Sequence, residues 1–145
     1  MRRAAWAAAA LLLPLGAACS SDQEVYCEAV RDQQTRLSDI LAGGEPDALL
    51  RALPAYRQLQ QAAVSDIRDD WAVVVDALED LDQALTDAGV DPATYDPAKP
   101  PAGVTEEQRA AIERAAAGLL DPRTEEAFAA VDQQARDVCG TPLNQ

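Results

Sequence analysis

Ser65-Asp66-Ile67-Arg68-Asp69-Asp70-Trp71-Ala72-Val73-Val74-Val75-Asp76-Ala77-Leu78-Glu79-Asp80-Leu81-Asp82-Gln83-Ala84-Leu85 is the stretch whose spacing decides the fold class. Ile67, Trp71, Val74, Leu78, Leu81 and Leu85 recur at steps of four and three, which places them on one stripe of a helix. Asp69, Asp70, Asp76, Glu79, Asp80 and Asp82 lie between them. Ser65 stands at an N-cap position and Gly89 where a helix stops, so the pattern predicts a helix over 66–88, roughly 35 Å long at 1.5 Å per residue. Three heptads do not make a coiled coil, and packing inside a bundle needs no more.

The segments on either side read the same way. Ser21-Asp22-Gln23-Glu24 has the form of a capping box, opening a helix over 22–42 with Cys27, Val30, Leu37, Ile40 and Leu41 on one face. Gly43-Gly44 ends it. Residues 46–62 carry Leu49, Leu50, Leu53, Tyr56 and Leu59 at helical spacing, but Pro54 lies in their midst. Proline lacks an amide hydrogen and clashes with the carbonyl at Leu50, so this is either one kinked helix or two short ones. Residues 89–104 hold four prolines and no period, and form a long connector. Thr105-Glu106-Glu107-Gln108 is a second capping box, opening a helix to Leu120 that faces inward with Ile112, Ala115, Ala116 and Leu119. Asp121-Pro122 caps a last helix with Phe128, Val131, Ala135 and Val138 on its stripe, ending before Gly140. No segment sustains a period of two. The expected fold is all-α, a bundle of four to five helices over residues 22–140, with a C-terminal tail at 141–145.

The N-terminus speaks to compartment. Arg2 and Arg3 precede the apolar run from Ala4 to Leu15, and Leu15-Gly16-Ala17-Ala18-Cys19 is followed by the polar Ser20-Ser21-Asp22. A basic start, a short apolar run and small residues before a cut site make a secretory signal. The last of these stretches resembles the lipobox of bacterial lipoproteins, although Gly16 stands where that motif usually has Leu. The resemblance implies a signal peptide at 1–18, diacylglycerol on the sulfur of Cys19 and a lipidated tether at 19–21. Gly16 and Ala18 also suit an ordinary signal peptidase, which would secrete the chain with a bare Cys19 thiol. The residues around Arg2-Arg3 do not fit a twin-arginine signal well. Eleven arginines to one lysine, with abundant alanine, point to a G+C-rich genome. With Tyr26-Cys27-Glu28-Ala29-Val30, Ile67-Arg68-Asp69-Asp70-Trp71 and Ala135-Arg136-Asp137-Val138-Cys139-Gly140, the chain resembles small helical exported lipoproteins of actinobacteria. That resemblance implies a compartment and a fold class, and carries no mechanism.

Three cysteines are an odd number for an exported chain. Lipidation of Cys19 leaves Cys27 and Cys139, whose default fate in an oxidising compartment is a disulfide. Their α-carbons must then lie within about 7 Å. Five helices in plain up-down order would put these cysteines at opposite ends. Two remedies are open: residues 89–104 run the length of the bundle as a crossover, or residues 46–62 fail to cross because Pro54 breaks them. The bond reads as a structural staple, since reactive dithiols are usually close pairs.

The formal net charge is −13, and removal of Arg2 and Arg3 with the signal leaves ten basic against twenty-five acidic residues, or −15. Phosphates would repel such a chain, which argues against nucleic acid. The same balance argues against a hold on anionic lipid through basic side chains, so the membrane is reached only through the lipid on Cys19. The sequence has no histidine, which removes Ser-His and Cys-His pairs and the usual zinc and haem ligation. Asp66, Asp69 and Asp70 suit the positive end of a helix dipole. With Asp76, Glu79, Asp80 and Asp82 they read as a solvated face, because successive helix positions diverge where Ca²⁺ wants converging oxygens. No metal site, catalytic residue or cofactor is expected. Trp71 and Tyr56 read as core. Tyr95, between two Asp-Pro turns, either pins the connector to the bundle or serves as a partner contact.

These readings converge on a non-enzymatic, lipid-anchored envelope protein at the outer face of the cytoplasmic membrane, a protein-binding or adaptor module for another envelope protein. The alternative of a different class is a carrier of a small apolar or cationic ligand within the bundle.

Overall fold

The computed structural model describes residues 18–144, with side chains from Ser21 onward. The signal sequence and the lipobox lie outside the described residues, except for the backbone of Ala18 and Cys19, which is helical. Five α-helices follow one another: α1 Ala18–Ala42, α2 Ala48–Ala62, α3 Arg68–Ala88, α4 Glu106–Leu119 and α5 Pro122–Cys139. Among the described residues there is no strand. The expected all-α bundle with one disulfide is the observed fold.

Local chemistry accounts for most helix ends. The Thr105 hydroxyl accepts from the Gln108 amide while the Gln108 side chain accepts from the Thr105 amide, completing the capping box of α4. The Asp121 carboxylate accepts from the Arg123 amide and Pro122 takes the first position of α5, where a missing amide hydrogen costs nothing. Gly89 and Gly140 end α3 and α5 at φ 67° and 64°, left-handed values that a side chain would strain. Two expected starts differ. α1 is already helical from Ala18, so Ser21 lies inside it rather than at its cap, and the expected tether at 19–21 is part of the helix. Ser65–Ile67 forms a 3₁₀ turn ahead of α3, and the Ser65 hydroxyl bonds to Asp66 rather than capping.

Helix α2 runs unbroken through Pro54. The residues around the proline explain this: Ala52, Leu53, Ala55, Tyr56 and Leu59 are all buried against α1 and α3. Burial on both sides outweighs the one backbone hydrogen bond that Pro54 removes. Gln33 of α1 donates to Gln58 of α2 at 2.8 Å, and Arg57 pairs with Glu79 of α3 at 2.7 Å, so α2 spans the bundle as a full pass.

The path beyond α3 corrects the expected crossover. Gln108 Nε2 donates to the Asp87 carbonyl at 2.9 Å, so α4 starts beside the end of α3 and the connector stays at one end of the bundle. Midway along α3, Val73, Asp76 and Ala77 share a shallow cleft with Ala115 and Gly118 of α4 and Thr124 of α5. There α4 stops and α5 takes over, continuing to the 3₁₀ turn at the start of α3. Together α4 and α5 make one broken descending pass along α3. The molecule is therefore a four-pass bundle whose last pass is interrupted at Asp121-Pro122. That parity brings the first and last helices to the same end without any long crossover.

The core consists of Tyr26, Val30 and Leu37 from α1, Leu53 and Leu59 from α2, Trp71, Val74, Val75 and Leu78 from α3, and Val131 and Ala135 from α5. Val138 departs from expectation at 41% exposed. The buried row Thr124, Ala127, Val131 and Ala135 steps on to Cys139, which faces the bundle in the disulfide and leaves Val138 turned outward. After α5 the chain returns to the bundle at Leu143. The Leu143 amide donates to Asp132, and its side chain is buried in the core.

Candidate functional site

The two ends of the bundle differ. At one end the disulfide joins Cys27 to Cys139 with α-carbons 5.1 Å apart, as the cysteine arithmetic required. Beside it Tyr26 and Trp71 are fully buried, and Trp71 Nε1 donates to the Tyr26 hydroxyl at 3.0 Å. Burial pushes the Tyr26 phenol up, against the smaller opposing effect of the Trp71 hydrogen bond. Tyr56 packs on the Trp71 ring at a centroid distance of 5.7 Å and on Phe128 at 6.2 Å. Its phenol is pushed up to about 12, first by burial and then by the negative charge of Asp132. The core at this end is filled by large rings.

At the opposite end, where the connector lies, the bundle does not close. α2 begins there with Leu49 and Leu50, and α3 ends there with Leu81 and Leu85. α4 brings Ile112, Ala116 and Leu119, and Pro92, Tyr95 and Pro97 of the connector form a further wall. These surfaces enclose an apolar groove of about 500 Å³, open to solvent and within the size range of ligand sites. It exists because α4 faces it with Ala116 and Ala117, whose side chains are too short to reach across. Sequential turns shape the connector: the Thr94 and Tyr95 amides donate to the Asp91 carbonyl, and the Lys99 amide donates to that of Asp96.

Leu120 and Leu49 mark the rim, at 74% and 38% exposed. Leu120 follows the last turn of α4 and stands exposed beside the apolar groove. The other large exposed apolar residues, Val25 and Val138, lie on the helices that meet at the disulfide end. A cleft of about 460 Å³ there, between the start of α1 and residues 61–68, is lined by polar and apolar groups in nearly equal measure, with Asp22, Gln61, Asp66 and Arg68 among the polar ones. The apolar groove is the better candidate.

Of the residues singled out in the sequence, the structure brings together Cys27 and Cys139 and places Trp71 and Tyr56 in the core. Tyr95 is half-buried in the wall of the groove, on a connector that both packs on the bundle and borders open space. Asp66 and Asp69 are exposed and Asp70 is half-buried, around the start of α3. Among the described residues no three His, Cys, Asp or Glu side chains are placed to hold a metal ion. No helix among them is long and apolar enough to cross a membrane. The groove itself escaped sequence reading, since four separate segments build it. The one usable signal was Leu120, an apolar residue one step past the inward stripe of α4. No family model, curated protein or solved structure matches the chain.

Proposed function

We propose that this is a lipid-anchored, non-enzymatic binding module of the bacterial cell envelope. On this reading residues 1–18 are removed on export and Cys19 carries lipid at the outer face of the cytoplasmic membrane. The bundle then offers its apolar groove to another envelope protein. The observation that carries the proposal is the position of the groove. It lies at the connector end, whereas α1 starts at the disulfide end. α1 has 25 residues and is about 37 Å long, so an anchor on Cys19 sets the groove far from the headgroups and facing outward.

Further support comes from the cysteines and the charge. Cys27 and Cys139 occupy each other, which leaves Cys19 as the one cysteine outside the bond. A net charge of −15 after loss of Arg2 and Arg3 keeps the body off an anionic membrane and leaves the lipid as the attachment. The absence of histidine and the dispersal of exposed and half-buried carboxylates along α3 support a binding role over a catalytic one. The alternative carrier of a small apolar or cationic ligand draws on the same groove, because the space beside Trp71 is filled by Tyr26 and Tyr56.

A photo-crosslinking residue at position 120 in native membranes tests the proposal, with the same residue at position 25 as the comparison. A discrete protein adduct from position 120 that is missing from position 25 is expected. An adduct of small-molecule mass from position 120 would instead make the carrier the better reading.

A further inference from the structure

We propose that the groove receives the apolar face of a basic amphipathic peptide segment, with Leu120, Leu49 and Tyr95 as contacts and an acidic rim selecting its charge. The inference rests on the reading of the chain as a protein-binding module and specifies the chemistry of the partner.

The shape of the groove sets the first condition. At about 500 Å³, open along one side, it has room for the side chains of one apolar stripe rather than for a whole domain. An amphipathic helix offers such a stripe at i, i+3, i+4 and i+7.

Charge sets the second condition. Glu113 is the one charged residue in the lining. Around the edge, Glu45 and Asp47 flank Pro46, and Asp91 and Asp96 stand on either side of the Tyr95 loop. The last two are held in place: Asp91 accepts from the Ala93 amide and Asp96 from the Ala98 amide, each at 2.9 Å. Arg51, Lys99 and Arg114 are the basic residues within two positions of these walls, against Glu45, Asp47, Asp91, Asp96 and Glu113, so the rim is negative on balance. Lysines or arginines on the polar face of the segment would meet it. Exposed charges of this kind contribute steering and choice of partner more than affinity.

The same charge disfavours the other occupants. Two copies joined through the groove would bring two acidic rims together, in molecules that each carry −15 once Arg2 and Arg3 are removed. An anionic bilayer would be repelled likewise.

The test uses the purified full chain, held in phosphatidylcholine nanodiscs when it carries lipid, and fluorescence anisotropy of labelled peptides. The probe is an amphipathic Leu/Lys helix of about four turns, with a Leu/Glu helix of the same pattern and a Leu/Lys peptide of scrambled order as comparisons. Saturable binding of the patterned Leu/Lys peptide alone is expected, weakening as salt rises. Leu120→Ser should weaken it by about tenfold or more, the effect of one lost buried leucine. Asp96→Asn with Glu113→Gln should flatten the salt dependence. Val25→Ser, which removes an exposed apolar residue at the other end, should leave binding unchanged. Equal binding of the Leu/Glu or scrambled peptide, equal loss in Val25→Ser, or no saturable binding overturns the proposal. So does a concentration-dependent dimer, or adhesion to phosphatidylglycerol vesicles, that Leu120→Ser abolishes. None of these results bears on whether Cys19 carries lipid, which its mass decides separately.

Discussion

Trp71 donates its indole N–H to the hydroxyl of Tyr26 across 3.0 Å inside the core, tying α3 to α1 one residue away from the disulfide. Both rings are fully buried, so each satisfies a polar atom that water cannot reach. Tyr26→Phe leaves the indole N–H without its partner and should destabilise by about 1–3 kcal/mol in urea unfolding. Trp71→Phe should cost more, through the added loss of packing. The double variant should be less destabilised than the sum of the two, because either change alone already breaks the bond. Strict additivity would contradict the hydrogen bond.

The disulfide closes a loop across a sequence separation of 112 and acts mainly on the unfolded chain. Reduction should lower stability by about 2–5 kcal/mol. Far-UV circular dichroism under mild conditions should change little, because the buried stripes of α2 and α3 do not depend on the bond. Collapse of helix content on reduction, without denaturant, would show that the bundle cannot hold itself together.

Tyr56 gives a pH signature. Its phenol is raised to about 12 in the folded protein, against about 10 in the unfolded chain. The stabilising contribution is complete below pH 10 and is lost as pH climbs toward 12, since the unfolded chain gives up this proton first. Two pH units correspond to about 2–3 kcal/mol. Tyr56→Phe should therefore flatten the fall in stability between pH 10 and 12. An unchanged slope would mean that Tyr56 titrates as freely folded as unfolded.

How much of this was legible beforehand depends on the range of the forces involved. The stripe from Ile67 to Leu85 and the caps at Thr105 and Asp121 are local, and the structure has them where the pattern put them. The pairing of Cys27 with Cys139 followed from compartment and counting. The path did not, because an interrupted last pass and a long crossover solve the same parity problem, and only the contact of Gln108 with Asp87 separates them. Pro54 was ambiguous for a similar reason: neighbours on α1 and α3 decide whether a helix survives a proline. Val138 turned outward once the disulfide took the inward position at the end of α5. The groove depends on short side chains at Ala116 and Ala117 facing leucines far away in sequence, which periodicity within one helix cannot reveal.

The proposed anchor fixes which end of the bundle faces the membrane, and with it the outward orientation of the groove. Intact-mass analysis of the mature protein from its native membranes tests this claim most directly. The account predicts a chain beginning at Cys19 that carries a diacylglycerol thioether, with or without N-acylation, and that leaves the membrane fraction or stays unprocessed in Cys19→Ala. A native mature chain with an unmodified thiol at Cys19 would contradict it.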